Sequence, residues 1–167
     1  MLKRTSLQNY LEYFAINVSL WFLRLFSFGV SLKIGKFMAV FVYHCIPIRR
    51  KHILNMLLIS FPEKSKKEIK FIVKNVYKNF MITVVEVIFS PKMSNEEIRK
   101  LHVCSNEFLV ENSYIAGRGT ILMSAHFGNW ELTALAFEKK YPMSAVVARQ
   151  SNKLVDNMLN KIRIFNG

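Results

Sequence analysis

The sequence predicts an α/β fold in which N-terminal membrane-associated helices precede a parallel βαβ sheet. Three observations support this class: 51% of the 167 residues are apolar, the longest apolar segments lie before residue 49, and short apolar runs alternate with helical segments after residue 91. Such a high apolar content excludes intrinsic disorder, because disordered segments lack the side chains that offset the entropy of ordering. With six glycines and four prolines, the chain is not a collagen-like or low-complexity sequence.

The chain is strongly basic, with 24 Lys and Arg against 11 Asp and Glu and a formal net charge of +13. The excess is concentrated in residues 1–60, where eight bases accompany a single acid, Glu12. This balance predicts an anionic partner, either a lipid surface or a nucleic acid. Because the basic excess coincides with the apolar segments, the lipid interpretation is favoured over a nucleic-acid binder.

An apolar membrane anchor region is predicted for residues 1–48. Tyr10–Leu32 comprises 23 residues, of which only Glu12 and Arg24 are charged, and it is long enough to cross a hydrocarbon core. Its aliphatic and aromatic side chains, at about −0.3 to −0.6 kcal/mol each, outweigh a central Arg at about +3 kcal/mol. Polar residues at helical spacing suit a helix lying in the membrane interface equally well, so both modes of association stay open.

A second apolar run, Phe37–Ile48, is too short to span a membrane and is expected to stop at Pro47. Three bases follow it, Arg49, Arg50 and Lys51. These bases are placed where an anionic headgroup would lie, although a core helix with a charged exit explains them equally well.

Residues 49–91 are predicted to form a helical segment with a basic face. After a turn at Phe61-Pro62, Ser65 is placed to cap a helix that runs to about Phe89. Apolar residues recur at the spacing of a core-facing helix, namely Ile69, Ile72, Val73, Val76 and Phe80. On another face a lysine recurs every fourth residue, at Lys66, Lys70, Lys74 and Lys78. A solvated face explains this row, and a docking surface for phosphates or an acidic carrier protein is the alternative.

Residues 92–167 are predicted to form the first part of the sheet domain. Strands are expected at Leu101–Cys104, Thr120–Ala125 and Ser144–Ala148. Helices are expected at Ser105–Ala116 ended by Gly117, at Asn129–Lys140, and at Asn152–Phe165 with Gly167 as its C-cap. Strands that alternate with helices of this length form right-handed βαβ units and a parallel sheet.

Cysteine and histidine usage gives no sign of a disulfide framework or a metal site. Cys45 and Cys104 have no CxxC spacing, and no small-residue cleavage site follows the N-terminal apolar run, so a reducing, cytoplasm-facing protein is predicted. The four histidines lack zinc-ligand spacing with a cysteine or carboxylate, and no metal is expected.

Polar candidates for chemistry directly follow two of the predicted strands. They are His126 and Arg149, and ligands of open α/β sheets bind outside the carboxyl ends of the strands. On a continuous helix His126 and Glu131 would be separated by about 140° and could not meet. If Gly128 turns the chain and Asn129 caps the next helix, Glu131 occupies the first turn and can fix one imidazole nitrogen, leaving the other as a base. A structural histidine and an acid favoured by the helix dipole are the alternatives on spacing alone.

The residues His126-Phe127-Gly128-Asn129-Trp130-Glu131 resemble the H-x4-D/E signature, the HX4E motif, of the lysophospholipid acyltransferase superfamily. More closely, the sequence is similar to the lipid A biosynthesis acyltransferases, the late lauroyl/myristoyl transferases of Gram-negative bacteria. The resemblance covers most of the chain. It includes the apolar N-terminal region, Arg50…Asn55…Phe61-Pro62, Gly117-Arg118-Gly119, Arg149…Asn152 and Arg163…Gly167.

The resemblance implies transfer of a fatty acyl group from acyl carrier protein to a hydroxyl of a lipid A precursor or a similar lipid. His126 would deprotonate the acceptor hydroxyl, and Glu131 would orient His126 and stabilise its imidazolium form. Arg149 would hold a phosphate or the developing oxyanion, and Asn152 and Asn129 are the further substrate-binding candidates. No cofactor is expected besides the acyl carrier donor, and no covalent acyl-enzyme is required.

The resemblance also implies a location on the cytoplasmic side of the bacterial inner membrane. The expected partners are acyl carrier protein, an anionic glycolipid acceptor and the membrane, with no nucleic acid. Members of the family continue beyond residue 167 with strands that complete the sheet, so we expect this chain to be a truncated, N-terminal part of such an enzyme. The alternatives are an inactive membrane-binding fragment and an acyltransferase for another lysolipid or glycolipid acceptor.

Overall fold

A computed structural model describes residues 5–46 and 49–166, with side chains described as far as residue 163. The described part of the chain is 71% helical. Its helices are α1 (Ser6–Arg24), α2 (Phe28–Cys45), α3 (Arg50–Ser60), α4 (Lys66–Phe89), α5 (Asn95–Leu101), α6 (Glu107–Ile115), α7 (Trp130–Glu138) and α8 (Lys153–Asn166), with a 3-10 turn at Ser90–Lys92 before α5.

The predicted parallel βαβ sheet is wrong, because none of the described residues forms a strand. Leu101 ends α5, and residues 102–104, 120–125 and 144–148 are irregular. Their large apolar side chains face solvent, as shown by Ile121 and Met123, which are 92% and 95% exposed. A strand requires ladder hydrogen bonds to a neighbour, and the described backbone hydrogen bonds of these segments are local. The apolar runs therefore indicate a preference for β structure. Whether a strand forms depends on a neighbouring strand, which the pattern of one segment cannot show.

Trp21–Ile88 forms one compact unit. Its core contains Ala39 from α2 and Ile69, Val73 and Tyr77 from α4, with partly buried residues of α2, α3 and α4 packed around them. The predicted core face of α4 is thus confirmed in its first turns. It is wrong further along, since Val76 and Phe80 are exposed.

A row of small residues brings α2 close to α4 within this unit. Ser31, Gly35 and Ala39, one turn apart on α2, are buried. A Cβ atom at Gly35 would lie 2.9 Å from Val85 Cγ2 and 3.6 Å from the Met81 carbonyl oxygen, so the first distance is shorter than van der Waals contact. The missing side chain at Gly35 is therefore what permits this approach.

The apolar run Tyr10–Leu32 is interrupted, because α1 ends at Arg24 and α2 begins at Phe28. The break is bridged by the Ser31 hydroxyl, which donates to the Leu23 carbonyl at 2.8 Å; the same carbonyl accepts the Phe26 N–H at 3.2 Å. By length and composition α2 could cross a membrane, a weak criterion that core helices also meet. The predicted stop at Pro47 lies outside the described residues.

The remaining described residues, on either side of Trp21–Ile88, form the second compact unit. Its core joins Ile98 of α5 to Leu132 and Leu135 of α7. Gly117 ends α6 as predicted, with φ of +65°. The Arg118 N–H donates to the Ser113 carbonyl at 3.3 Å, which completes a Schellman motif. Gly167, predicted to cap α8, lies outside the described residues.

Capping boxes begin three of the described helices, α1, α4 and α5. The Glu68 carboxylate accepts hydrogen bonds from the hydroxyl and backbone N–H of Ser65, which confirms the predicted start of α4. Ser94 and Glu97 form the same arrangement at α5. Hydrogen bonds from the capping serine lower the pKa of both carboxyl groups.

Adding one methyl group at Gly35 tests the close approach of α2 and α4. We expect Gly35→Ala to lower the free energy of unfolding by about 0.5–2 kcal/mol, because an overpacking cost of about 1–3 kcal/mol exceeds the gain of about 0.5–1 kcal/mol from replacing a helical glycine. Gly29→Ala is the matched control on the same helix, since no atom lies within 4 Å of its added Cβ. The control should gain about 0.5–1 kcal/mol. Urea unfolding in a mild detergent, followed by circular dichroism, measures both, and equal effects at the two positions would contradict the packing argument.

Candidate functional site

The segment between α6 and α7 presents His126 at the surface. The Phe127 N–H donates to the Ala125 carbonyl at 2.8 Å, which closes a three-residue turn centred on His126. Gly119 and Gly128, on either side, have φ of +67° and +63°, a conformation that other residues rarely adopt. His126 is exposed, and Phe127 is 91% exposed. The imidazole is therefore accessible to a large ligand.

Asn129 begins α7 and separates His126 from Glu131. Its side-chain oxygen accepts a hydrogen bond from the Leu132 N–H at 3.0 Å, and Glu131 lies in the first turn. The predicted local geometry is confirmed: a turn at Gly128, a cap at Asn129 and the acid just inside the helix. Leu132 and Leu135 bury the inner face of α7, so the helix start is fixed by packing as well as by the cap.

Glu131 is held by a forked ion pair with Arg163 of α8. Arg163 Nε donates to Glu131 Oε2 at 3.0 Å, and Nη2 donates to Oε1 at 2.5 Å. The side chains of Arg163 and Glu131 are 30% and 24% exposed. Hydrogen bonding to Glu131 raises the pKa of the Arg163 guanidinium. Paired, charge-assisted hydrogen bonds of this kind set both distance and orientation.

His126 contacts Trp130 instead of Glu131. The two ring centroids lie 4.6 Å apart with the planes inclined by 48°. Within residues 5–46 and 49–163, no hydrogen bond or ion pair joins the His126 imidazole to the Glu131 carboxylate. Successive helical residues point about 100° apart, which explains how Trp130 and Glu131 face different neighbours.

The other candidates, Arg149 and Asn152, have contrasting surroundings. Arg149 is exposed in the segment between α7 and α8. Asn152 is 2% exposed, and its amide nitrogen donates to the Asn9 carbonyl at 2.9 Å and to Glu12 Oε2 at 2.8 Å. Its oxygen accepts from the Leu154 N–H at 3.0 Å. Asn152 therefore holds the start of α8 against α1, whereas Arg149 is free of such a structural task.

No role is predicted for Arg163 from the sequence, although the structure places it at the site. The sequence does contain one indication of a role for Arg163: this residue interrupts the apolar run Ile162–Phe165, where a charged side chain needs a partner. The partner is 32 residues away in sequence, so spacing rules could not identify it. Among the residues that the structure describes, no three His, Cys, Asp or Glu side chains group together to hold a metal ion.

Comparison with known families gives one match over nearly the whole chain. A family model described as bacterial lipid A biosynthesis acyltransferase matches residues 2–167, which include all of the site residues above. No curated protein and no solved structure matches the chain.

A double-mutant cycle measures the strength of the ion pair between α7 and α8. We expect Glu131→Gln and Arg163→Gln to couple by about 1–2 kcal/mol in the free energy of unfolding, because a forked, partly buried pair exceeds an exposed one. Lys161→Gln, at an exposed position of α8, is the matched control and should couple to Glu131→Gln by less than about 0.5 kcal/mol. Equal coupling for the two basic residues would contradict the pairing.

Proposed function

We propose a reaction for this chain from the premise that it belongs to the bacterial lipid A biosynthesis acyltransferase family. In this proposal the chain transfers a fatty acyl group from acyl carrier protein to a hydroxyl of a lipid A precursor. Family membership supports acyl transfer as the general activity. The observation that carries the assignment to this site is the exposed His126 turn, followed within five residues by Glu131 in an ion pair.

In the proposed reaction the neutral imidazole of His126 removes the proton from the acceptor hydroxyl. The resulting oxygen nucleophile attacks the thioester carbonyl, and a C–O bond forms. The tetrahedral intermediate then collapses as the C–S bond breaks, and the carrier thiolate takes the proton from the imidazolium. The Trp130 ring beside His126 supports this role, because an aromatic face stabilises a neighbouring cation.

Glu131 is proposed to orient His126 while it stays bound to Arg163. A carboxylate offers about four acceptor positions, of which the guanidinium fork uses two. An imidazole N–H can therefore be accepted without loss of the ion pair, after rotation of the exposed His126 side chain. Arg163 would then keep the carboxylate in place beside the imidazole.

Arg149 is the proposed anion-binding residue of the site. Its exposed guanidinium supports contact with a phosphate of the acceptor or with the developing oxyanion. Contact of substrate with Asn129 and Asn152 stays a prediction. The hydrogen bonds that both amides already make support a role in placing α7 and α8.

Acyl carrier protein is proposed to dock on the lysine row of α4. Lys66 and Lys70 are exposed, and Lys74 and Lys78 are partly buried. The unit that contains them, Trp21–Ile88, has 12 Lys and Arg against three Glu. A carrier with an acidic surface would be attracted by this positive charge, and the lysine row would set its orientation on α4.

Membrane association follows from the family and is proposed here to use α1 as an interfacial helix. Leu7, Tyr10, Leu11, Phe14 and Val18 form one exposed apolar stripe along α1. A helix that crossed the bilayer would carry Glu12 and its bond to Asn152 into hydrocarbon, at high cost. A helix lying in the interface buries the stripe and leaves Glu12 outside the lipid. The proposed location is the cytoplasmic side of the bacterial inner membrane.

Removal of the proposed base tests the reaction. We expect His126→Ala to lower the rate of transfer from acyl carrier protein to a lipid A precursor in mixed micelles by about 10²–10⁴-fold, the usual contribution of a general base. His52→Ala, at an exposed position of α3, is the matched control and should keep full activity. Unchanged circular dichroism shows that both variants fold.

Two results would contradict the proposed function. Full activity in His126→Ala would remove the assignment of the base. Absence of turnover by the unaltered chain, on lipid A precursors and on other lysolipid and glycolipid acceptors alike, would favour a chain that binds membranes without catalysis.

Charge reversal on α4 tests the carrier dock separately from the chemistry. We expect Lys66→Glu with Lys70→Glu to raise KM for the acyl carrier donor by about tenfold at low salt and to leave kcat unchanged. The effect should shrink as salt screens the exposed charges. Lys153→Glu with Lys161→Glu, exposed on α8, is the control of equal charge change. An equal rise in KM for the control would show a net-charge effect and no dock.

A further inference from the structure

Asn152 ties the two ends of the described chain together through a buried amide. Its donors reach the Asn9 carbonyl and the Glu12 carboxylate of α1, which are 143 and 140 residues away in sequence. Its acceptor oxygen is used by Leu154, at the start of α8. Because a buried polar group is costly to leave unbonded, this amide fixes α8 to α1.

The same stretch of α1 carries the exposed apolar stripe on its other side. At about 100° per residue, Asn9 and Glu12 lie about 200° and 140° around the helix from Leu7. One face of α1 is therefore held by Asn152, while the opposite face, with Leu11 and Phe14, is open to a lipid surface.

From Asn152 the connection continues along α8 to the candidate site. The helix start is fixed twice, since the Gln150 N–H also donates to Asp156 Oδ1 at 2.8 Å. Arg163 lies on the same helix, eleven residues or about 16 Å beyond Asn152. Its guanidinium forms the ion pair with Glu131. A restraint at one end of a helix is passed to the other end, because the internal hydrogen bonds of the helix resist bending.

We propose that Asn152 is a positioning residue that couples docking of α1 on a lipid surface to the placement of the Arg163–Glu131 pair. The proposal rests on the proposed interfacial docking of α1. Docking restrains α1, and the buried amide passes that restraint to α8, so that opening of the first turns of α8 becomes rarer when lipid is bound.

Amide hydrogen exchange with and without lipid vesicles tests this coupling without a need for turnover. The probe is vesicles of phosphatidylethanolamine with a minority of phosphatidylglycerol. In the unaltered chain we expect exchange to slow in α1, which reports docking, and to slow about tenfold in α8, a factor typical of one charge-assisted hydrogen bond.

Three variants identify Asn152 as the link. Asn152→Ala should keep the slowing in α1 and lose it in α8. Asn152→Asp retains the acceptor for Leu154 but opposes the Glu12 carboxylate, and it should lose the slowing in α8 as well. Adding Glu12→Gln to Asn152→Asp restores a donor–acceptor pair and should recover it. Asn157→Ala, exposed on α8, is the matched control and should behave as the unaltered chain.

Each other outcome overturns a definite statement. Slowing of α8 that persists in Asn152→Ala, or is absent from the unaltered chain while α1 slows, overturns the coupling and leaves docking intact. If α1 itself does not slow, docking fails and the coupling fails with it. The proposed acyl transfer is judged by the His126→Ala assay and not by this result.

Discussion

The forked ion pair between Glu131 and Arg163 is the interaction on which the candidate site depends. It joins the first turn of α7 to the last turns of α8, and the segment between these helices has no regular structure among its described residues. Without the pair, the two helices would keep only their own packing to define their separation. A site for acyl transfer needs its base, its orienting acid and its anion-binding group at fixed distances. In the proposed site this ion pair fixes Glu131, whereas His126 lies in the turn before α7 and Arg149 in the irregular segment before α8.

The local features of the chain could be predicted from the sequence, because each decisive hydrogen bond spans only three to five residues. Asn129 caps α7, Ser65 caps α4 and Gly117 ends α6, each for a reason contained in its immediate neighbours. The contacts that organise the fold could not be predicted in this way, because they join residues far apart in sequence. Arg163 meets Glu131 across 32 residues, and Asn152 meets Glu12 across 140. The sheet failed for a related reason: strand character in Thr120–Ala125 states a preference, whereas a sheet requires a partner.

The basic residues and the exposed apolar residues are distributed differently from an apolar anchor followed by a basic region. The apolar stripe lies on the exterior of α1, while its polar side is engaged by Asn152. The basic excess is greatest in Trp21–Ile88, where the core is built around small residues of α2 and the apolar face of α4. Both features agree with the proposed docking on an anionic lipid surface and the proposed binding of an acidic carrier.

The discontinuous unit that contains α1 and α8 also sets an order for folding during synthesis. Trp21–Ile88 is contiguous, so its core can close once residue 88 has left the ribosome, since domains generally fold as units as they emerge. The first turns of α1 are made before Trp21–Ile88, whereas their buried partner, Asn152, is made after it. The apolar stripe lies on the opposite side of α1, so a lipid surface can bind it before Asn152 is made. Docking of α1 at that stage would hold its polar side in place until α7 and α8 have been made.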